Sequence, residues 1–407
     1  MKILYVVHDF FPRFYGGTER YVYNLSKQMQ RMGHFVTVLT YGIEDSLDNY
    51  TRIIEDIHSR SYFYYGIPVI SIRHGMIPAD IGYMIENKSL EGAIEKIIKE
   101  KSFDIIHIAH PMRMSSCYRV AKRFGIPTVL TLTDFWLLCP RGRFYKPDYS
   151  LCNSPENGQK CIKECAVNVN VFERYKEAKR LFDEVDALIS PSRFLIEIFQ
   201  INGWDKNIVH INHGVDYKNI KPLSPVSKQQ GDIIFAYTGV VARFKGADLL
   251  INSFTEVNAD NIILKIYGNI LWDMQMNNIL NSAVKKDKRI IIKGKYEHSE
   301  LPFIMSDTDI VVVPSTTLES YGLVVVESMS YGVPVIASDI VGSAYEFITD
   351  GVNGFLFEAS KPESLRNIIE KISQAPSIIN DLKANITPPP RIEEEAFQVE
   401  CIYKQLS

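Results

Sequence analysis

Short apolar runs recur through the first half of the chain: Ile3 to Val7, Phe35 to Leu39, Val69 to Ile72, Ile105 to Ile108, Thr128 to Leu132 and Ala187 to Ile189. Helix-period patterns fill the intervals. Runs without polar alternation are what strands buried on both faces require, so the pattern predicts parallel strands joined by crossover helices. The rhythm restarts at Ile233 to Tyr237 and continues through Ile262 to Ile266, Ile290 to Ile292, Ile310 to Val313 and Val335-Ile336. Two doubly wound α/β units in series is the economical reading. Each opens with a strand, a glycine-bearing turn and a helix, at Gly16-Gly17-Thr18-Glu19 and at Gly239 to Lys245-Gly246. The polar, proline-bearing stretch from Lys221 to Gly231 suits an exposed linker, which predicts domains over 1–220 and 221–385. After Pro388-Pro389-Pro390, a last helix within 386–407 could cross back to the first domain.

Composition narrows the partners. With 407 residues, 46 % hydrophobic and 23 % charged, the chain can bury two cores, and a formal net charge of −3 gives no global pull toward nucleic acid or anionic lipid. Phosphate recognition, if present, has to be local. The run Ile3 to Val7 is too short for a secretory signal, and no stretch approaches the roughly 18 apolar residues of a spanning helix, so a cytoplasmic protein, at most peripheral at the membrane, is expected. Six cysteines without an export signal fit a reducing compartment. No Gly-x-Gly-x-x-Gly follows either opening strand, which disfavours a dinucleotide-dependent dehydrogenase.

The richest segment runs from Pro314 to Ser338 and leaves the carboxyl end of the strand Ile310 to Val313, where open parallel sheets bind ligands. Gly322 allows close backbone approach as a helix begins, and the amides from Gly322 through Leu323 to Val324 are unpaired donors at a positive dipole end, able to hold phosphate oxygens. On one continuous helix Glu319 and Glu327 would sit about 12 Å apart and about 80° out of phase. With Glu319 in the loop and Glu327 in the helix, both can flank one elongated ligand, Glu327 accepting from a ribose diol and Glu319 nearer a transferring sugar. A helix-start glutamate plus an ordinary surface one is the competing reading. Asp307-Thr308-Asp309 matches a metal-binding Asp-x-Asp, but it precedes a buried strand and is read as structural.

In these segments the chain resembles family 4 of the glycosyltransferases, the retaining enzymes of GT-B fold with two Rossmann-like doubly wound domains facing across a cleft. The resemblance rests on Glu319 and Glu327 spaced as Glu-x7-Glu, on Gly332 to Ser338, on Asp350 to Leu356, and on Lys245-Gly246. Ser190 to Leu195 and Asn212 to Asp216 add to it, so matches in order cover nearly the whole chain. It implies a nucleoside-diphosphate-sugar donor on the second domain, a saccharide or lipid-linked acceptor on the first, surface polysaccharide or glycoconjugate synthesis, and no catalytic metal. It further implies that Gly17 brings its amide to the donor phosphate or the acceptor, that Gly239 belongs to the donor loop, and that Lys245 neutralises the leaving diphosphate.

Two positions depart from the family pattern. Val240 stands where an arginine usually follows the glycine matching Gly239, leaving Arg243 as the nearest substitute. Thr133 stands before Asp134 where a histidine is common, so His8, His107 and His110, all near carboxyl strand ends, become the alternative contacts beside Asp134. These departures keep open a catalytically impaired nucleotide-sugar-binding partner subunit, and a nucleotide-sugar epimerase of similar fold is a further alternative. Finally, Cys139, Cys152, Cys161 and Cys165 crowd one insertion, the loop 139–165. Four thiolates could close a structural zinc site; unligated thiols or a disulfide are the other readings. Arg141, Arg143, Phe144 and Tyr145 of that loop could meet an anionic or lipid-linked acceptor.

Overall fold

A computed structural model of the chain describes residues 1–167, 169–216, 231–270 and 274–407. Two compact units emerge. The first comprises Met1–Pro147, Cys152–Gly214 and Ile392–Ser407; the second comprises Asp148–Leu151 and Val215–Arg391. The linker expected from Lys221 lies, Gly231 apart, outside the described residues.

In the first unit, β1 (Lys2–Val7), α1 (Gly17–Arg31) and β2 (Phe35–Tyr41) form the opening crossover. β3 (Arg52–Ile54), β4 (Ile57–Tyr64) and β5 (Ile67–His74) follow, then α2 (Lys88–Lys101), β6 (Ile105–Ile108), α3 (Ser116–Arg123) and β7 (Thr128–Thr131). After the insertion come α4 (Gln159–Cys165), α5 (Val171–Glu184), β8 (Ala187–Ser190), α6 (Arg193–Ile201) and β9 (Val209–His210). The nine strands are ordered β3-β4-β5-β2-β1-β6-β7-β8-β9. All pairings are parallel except β3 with β4 and β4 with β5, an antiparallel edge that the apolar runs do not announce. β4 shows why: from Ser61 to Tyr64 exposed and half-buried positions alternate, so the strand carries no unbroken apolar run.

The second unit is a six-stranded, wholly parallel sheet in the order β12-β11-β10-β13-β14-β15. Its elements are β10 (Ile233–Thr238), α7 (Ala247–Thr255), β11 (Ile262–Tyr267), α8 (Met274–Lys286), β12 (Ile290–Gly294), α9 (Leu301–Ser306) and β13 (Ile310–Val313). There follow α10 (Leu323–Ser330), β14 (Val335–Ser338), α11 (Gly342–Phe347), β15 (Gly354–Phe357), α12 (Pro362–Gln374) and α13 (Ile378–Ala384). Successive residues of β10 serve opposite cores: Phe235 packs with Leu250, Phe254 and Leu264, while Ala236 packs with Val325, Met329 and Val335.

The last helix, α14 (Ile392–Leu406), packs on the first unit, sending Ala396, Val399 and Tyr403 into the core around β1 and α1. Burying a side chain the size of Val399 contributes about 1.5–3 kcal/mol. Polar pins fix its register. Buried Glu395 accepts from the Gly214 amide at 2.8 Å and pairs with His213 Nδ1 at 2.9 Å, while Glu400 pairs with His34 at 2.9 Å. Two of the short motifs noted in the sequence thus have structural work here. Asn212-His213-Gly214 receives α14, and Ser192 caps α6 by accepting the Leu195 amide at 3.1 Å.

Candidate active site

Within the second unit, β10 and β13 are the neighbours from which strand order runs outward in both directions, so their carboxyl ends flank the switch-point crevice. The turn after β10 carries Arg243 and Lys245; the loop after β13 carries Ser315 to Gly322. They interlock through backbone. Thr316 N–H donates to Phe244 O at 3.2 Å, and a Cβ on Gly246 (φ +71°) would come within 1.7 Å of Pro314 O, so glycine is required there. This packing brings Lys245 Nζ to 2.8 Å from Glu319 Oε1, the oxygen that also accepts the Ser315 hydroxyl.

Glu319 is held by backbone on both sides, its N–H donating to Ile340 O and its carbonyl accepting from Gly342, each at 3.0 Å. Gly322 (φ +93°) then turns the chain into α10, and a Cβ there would lie 2.7 Å from Val341 Cγ1 and 3.3 Å from Glu319 Oε2. The Glu319 carboxylate therefore sits against the start of α10. Leu323 and Val324, the first residues of that helix, have no carbonyl one turn back to receive their amides. Glu327, one turn further, pairs with His298 Nε2 at 3.2 Å, a partner that sequence reasoning missed.

The remaining second-unit candidates have other engagements. The Gly239 amide donates to Tyr267 O at 3.0 Å, continuing the sheet, and a Cβ there would lie 3.9 Å from Val324 Cγ2, next to the start of α10. Arg243 reaches Asp248 Oδ2 and Gln275 Oε1, each at 3.3 Å, and among the described contacts it does not join the Lys245–Glu319 pair. The Asp-x-Asp pair is structural: Asp307 binds Lys265 and Asp309 accepts the Ile234 amide at 2.9 Å.

In the first unit the equivalent switch point lies between β1 and β6. Gly17 is the first residue of α1, capped by Gly16 without a side-chain bond. His8, just past β1, places Nε2 3.5 Å from Glu19 Oε1 and 3.7 Å from Asp9 Oδ2. Its ring packs on that of His110 at 4.1 Å between centroids. Arg113 donates to Asp9 Oδ1 at 2.7 Å and to the His8 carbonyl at 3.1 Å. His110 Nδ1 accepts the Met112 amide at 3.2 Å, which leaves the proton on Nε2, 3.0 Å from Asp134 Oδ2.

Burial dominates the electrostatics of this cluster. It pushes the Glu19 carboxyl up to about 7 against the pull of its own backbone amide, and Asp9 up to about 6 against Arg113. His8 is held well below its ordinary range by burial, with His110 and Arg113 adding to the effect. Among the described residues, His8, Asp9 and Glu19 are the one His/Cys/Asp/Glu set whose ligand atoms lie within 4.8 Å of one another. The Arg113 guanidinium on Asp9 supplies positive charge there already. Asp9, Glu19 and Arg113 were not singled out from sequence.

Two expectations are corrected. His107 faces the core, fully buried, with Tyr403 Oη at one ring nitrogen and Thr131 Oγ1 2.7 Å from the other, so it is a packing residue rather than a ligand contact. Phe144 is 1 % exposed and packs edge-on against Phe135, which removes it from any acceptor surface. Thr133, at the position usually held by histidine, donates to the Ala109 carbonyl at 2.9 Å.

Comparison with known proteins agrees with this geometry. Residues 15–219 match the family model described as Glycosyltransferase Family 4, and residues 221–387 the model described as Glycosyl transferases group 1. An uncharacterised glycosyltransferase of Methanocaldococcus jannaschii is 24 % identical over 92 % of this chain and 89 % of its own. D-inositol 3-phosphate glycosyltransferase 1 of Catenulispora acidiphila is 25 % identical over 82 % and 81 %. Among solved structures, sucrose-phosphate synthase from Thermosynechococcus elongatus superposes with a TM-score of 0.75 at 18 % identity, covering 100 % of this chain and 98 % of its own. Anabaena HepE in complex with UDP and glucose gives 0.70 at 18 %, covering 99 % of both chains. Two units built on mainly parallel sheets, each with its polar side chains gathered at the switch point, and family models that together run from residue 15 to 387 lead to one conclusion: the chain belongs to glycosyltransferase family 4, with the GT-B fold.

Proposed function

We propose that this glycosyltransferase is a retaining, metal-independent hexosyltransferase that moves sugar from a nucleoside-diphosphate donor, bound by the second unit, to a saccharide or lipid-linked acceptor bound by the first. The observation that carries the reading is the Lys245–Glu319 pair at the start of α10. Lys245 exchanges Glu319 for the diphosphate, whose oxygens also take the free amides of Leu323 and Val324. Glu319, relieved of the lysine, accepts from hydroxyls of the transferring sugar, and Glu327 accepts from the ribose. Lysine and helix start together supply the positive field that a metal supplies elsewhere; one cation 4 Å from a phosphate charge gains roughly 4 kcal/mol at an effective dielectric of 20.

Transfer breaks the bond between the anomeric carbon and the diphosphate oxygen and forms one from that carbon to the acceptor oxygen on the same face. The acceptor proton passes to the departing phosphate oxygen. No protein base is then needed, which suits a chain with Thr133 turned toward Ala109 O. His110 and Asp134, with Gly17 and His8, form the acceptor side. A role in surface polysaccharide synthesis, in the cytoplasm or at the membrane surface, draws on a Klebsiella pneumoniae protein of a "cps region", 26 % identical over 66 % of this chain and 69 % of its own. HepE structures with UDP and UDP-glucose make uridine donors the first to try.

The second reading, a donor-binding partner subunit without transfer, is favoured by Arg243 being engaged with Asp248. Calorimetric titration with UDP-, GDP- and ADP-sugars, followed by mass spectrometry of acceptor extracts and NMR of the product anomer, separates the two. Binding with α-anomeric product from an α-donor supports the enzyme; binding with no transfer to any extract component supports the partner subunit.

A further inference from the structure

The insertion between β7 and α4 has little regular structure. From 132 to 158 it contains only turns, isolated bridges and one 3-10 turn. Four cysteines mark its ends and middle. Cys139 sits in a tight turn, its N–H donating to Phe135 O and its carbonyl accepting from Gly142, both at 2.7 Å. Cys152 is tied back to the same turn by its amide, 2.8 Å from Phe144 O. Cys161 and Cys165 stand one turn apart on the same face of α4. None of the four is in a disulfide, and an ion pair between Lys146 and Glu164 at 2.9 Å ties the loop that holds Cys139 and Cys152 to α4, which holds Cys161 and Cys165. Cys117 and Cys401 lie outside the cluster.

A second observation is independent of the sulfurs. Arg141 and Arg174 each bury a guanidinium Nε–H that has no hydrogen-bond partner. Such orphans are rare in folded proteins and call for an acceptor. Arg141 belongs to the turn that Cys139 opens, and Arg174 donates to the carbonyls of Trp136 and Leu137, the residues leading into that turn. Thiolate sulfur accepts hydrogen bonds, and a zinc ion with four thiolates carries a net charge of −2, which two adjacent guanidinium groups neutralise.

We propose that Cys139, Cys152, Cys161 and Cys165 form a structural zinc site, with the buried Nε–H groups of Arg141 and Arg174 donating to its sulfurs. Binding replaces four S–H bonds by four Zn–S bonds and releases four protons to solvent, with no change of oxidation state. No three of the sulfurs lie within 4.8 Å of one another here. Zn–S bonds of about 2.3 Å imply sulfur–sulfur edges of about 3.8 Å, so the loop tightens as the metal enters. The clasp takes no part in transfer. It fixes the segment that follows Asp134, the partner of His110.

The test uses the full chain expressed with zinc supplementation and desalted. Elemental analysis is expected to give about one zinc per chain, with four thiols protected from Ellman's reagent until a chelator is added. Cys139→Ser and Cys161→Ser lose the zinc, while Cys117→Ser and Cys401→Ser keep it. Should the first pair fail to fold, refilling the wild type with cobalt gives a thiolate-to-metal charge-transfer band in the near ultraviolet. A chain without zinc, without that band and with all its thiols equally reactive overturns the proposal, as does a disulfide between any two of the four in a peptide map. None of these readouts depends on a donor or acceptor, so failure of the transferase reading leaves them interpretable.

Discussion

The two units place polar side chains at the same topological point and do opposite things with them. In the second unit the site is opposite in sign and partly open: Lys245, with a side chain one-third exposed at 33 %, faces Glu319 across 2.8 Å beside a helix start. In the first, a histidine, two carboxylates and an arginine are packed against a second histidine, with the Asp9 and Glu19 side chains only 8 % and 5 % exposed. A partly open ion pair exchanges partners readily with an incoming phosphate. A buried cluster keeps its shape and tunes proton affinities. The first arrangement suits gripping a charged leaving group; the second suits orienting neutral hydroxyls.

The largest expected effect breaks the second-unit pair. Lys245→Ala is expected to lower kcat/KM about 10²–10³-fold, in the range found for removing one preorganised electrostatic donor, with the fold unchanged by circular dichroism. His110→Ala, in the other unit, is expected to cost about 10–100-fold, because it removes one orienting contact rather than the leaving-group charge. If the histidine variant loses more than the lysine variant, the division of labour between the units is the reverse of the one drawn here.

Next comes the clamp that completes the first unit. Glu395→Ala leaves His213 and the Gly214 amide without their acceptor inside a buried contact. A loss of about 2–4 kcal/mol is expected in urea unfolding. Donor titration of the second unit should be little altered where both proteins are folded. A matching loss of donor affinity in the folded variant would show that the two units do not act separately in binding.

Legibility in the sequence follows the same division. The parallel strands could be read because burial on both faces forces continuous apolar runs, and Lys245, Glu319 and Glu327 because each sits near a glycine turn after such a run. Asp9, Glu19 and Arg113 come from three segments that meet only through the strand order β2-β1-β6, which a linear pattern does not encode. His107 misled for a related reason: its position near a strand end is visible in sequence, whereas Tyr403, nearly 300 residues later, decides which way it faces. His298 beside Glu327 depends likewise on packing across the unit.

The buried cluster of the first unit has a titration signature of its own. Glu19 holds its proton to about 7 when folded against an ordinary 4.5, so the folded state binds more protons than the unfolded state between those values. Its contribution is fully present below pH 4.5 and is lost as pH rises through 7. His8, held neutral, acts oppositely below 6.5. Glu19→Gln removes only the carboxylate part. Relative to this variant, the wild type is expected to lose roughly 1–3 kcal/mol between pH 5 and pH 7.5 in paired urea titrations. Parallel stability profiles for the two proteins would remove Glu19 from the account.

Arg243 gives the smallest expected change and the sharpest use of the comparison. An arginine that replaced the one absent at Val240 would behave as a second Lys245, and its loss would cost a comparable factor. Its guanidinium instead spans Asp248 and Gln275, at 3.3 Å from each, with a side chain 36 % exposed. Recruiting it to a diphosphate means giving up the Asp248 pair, and an exposed pair of this kind is worth about 0–1 kcal/mol, so donor binding can draw it away at little cost but also gains little from keeping it in place. Arg243→Ala is therefore expected to lower kcat/KM less than about fivefold, with most of the change in KM, measured against Lys245→Ala in the same assay. A loss in kcat as large as that of the lysine variant would mean that the bound state swings Arg243 onto the leaving group. The phosphate clamp of this unit would then be a pair of cations assembled by the donor itself, rather than one lysine waiting against Glu319.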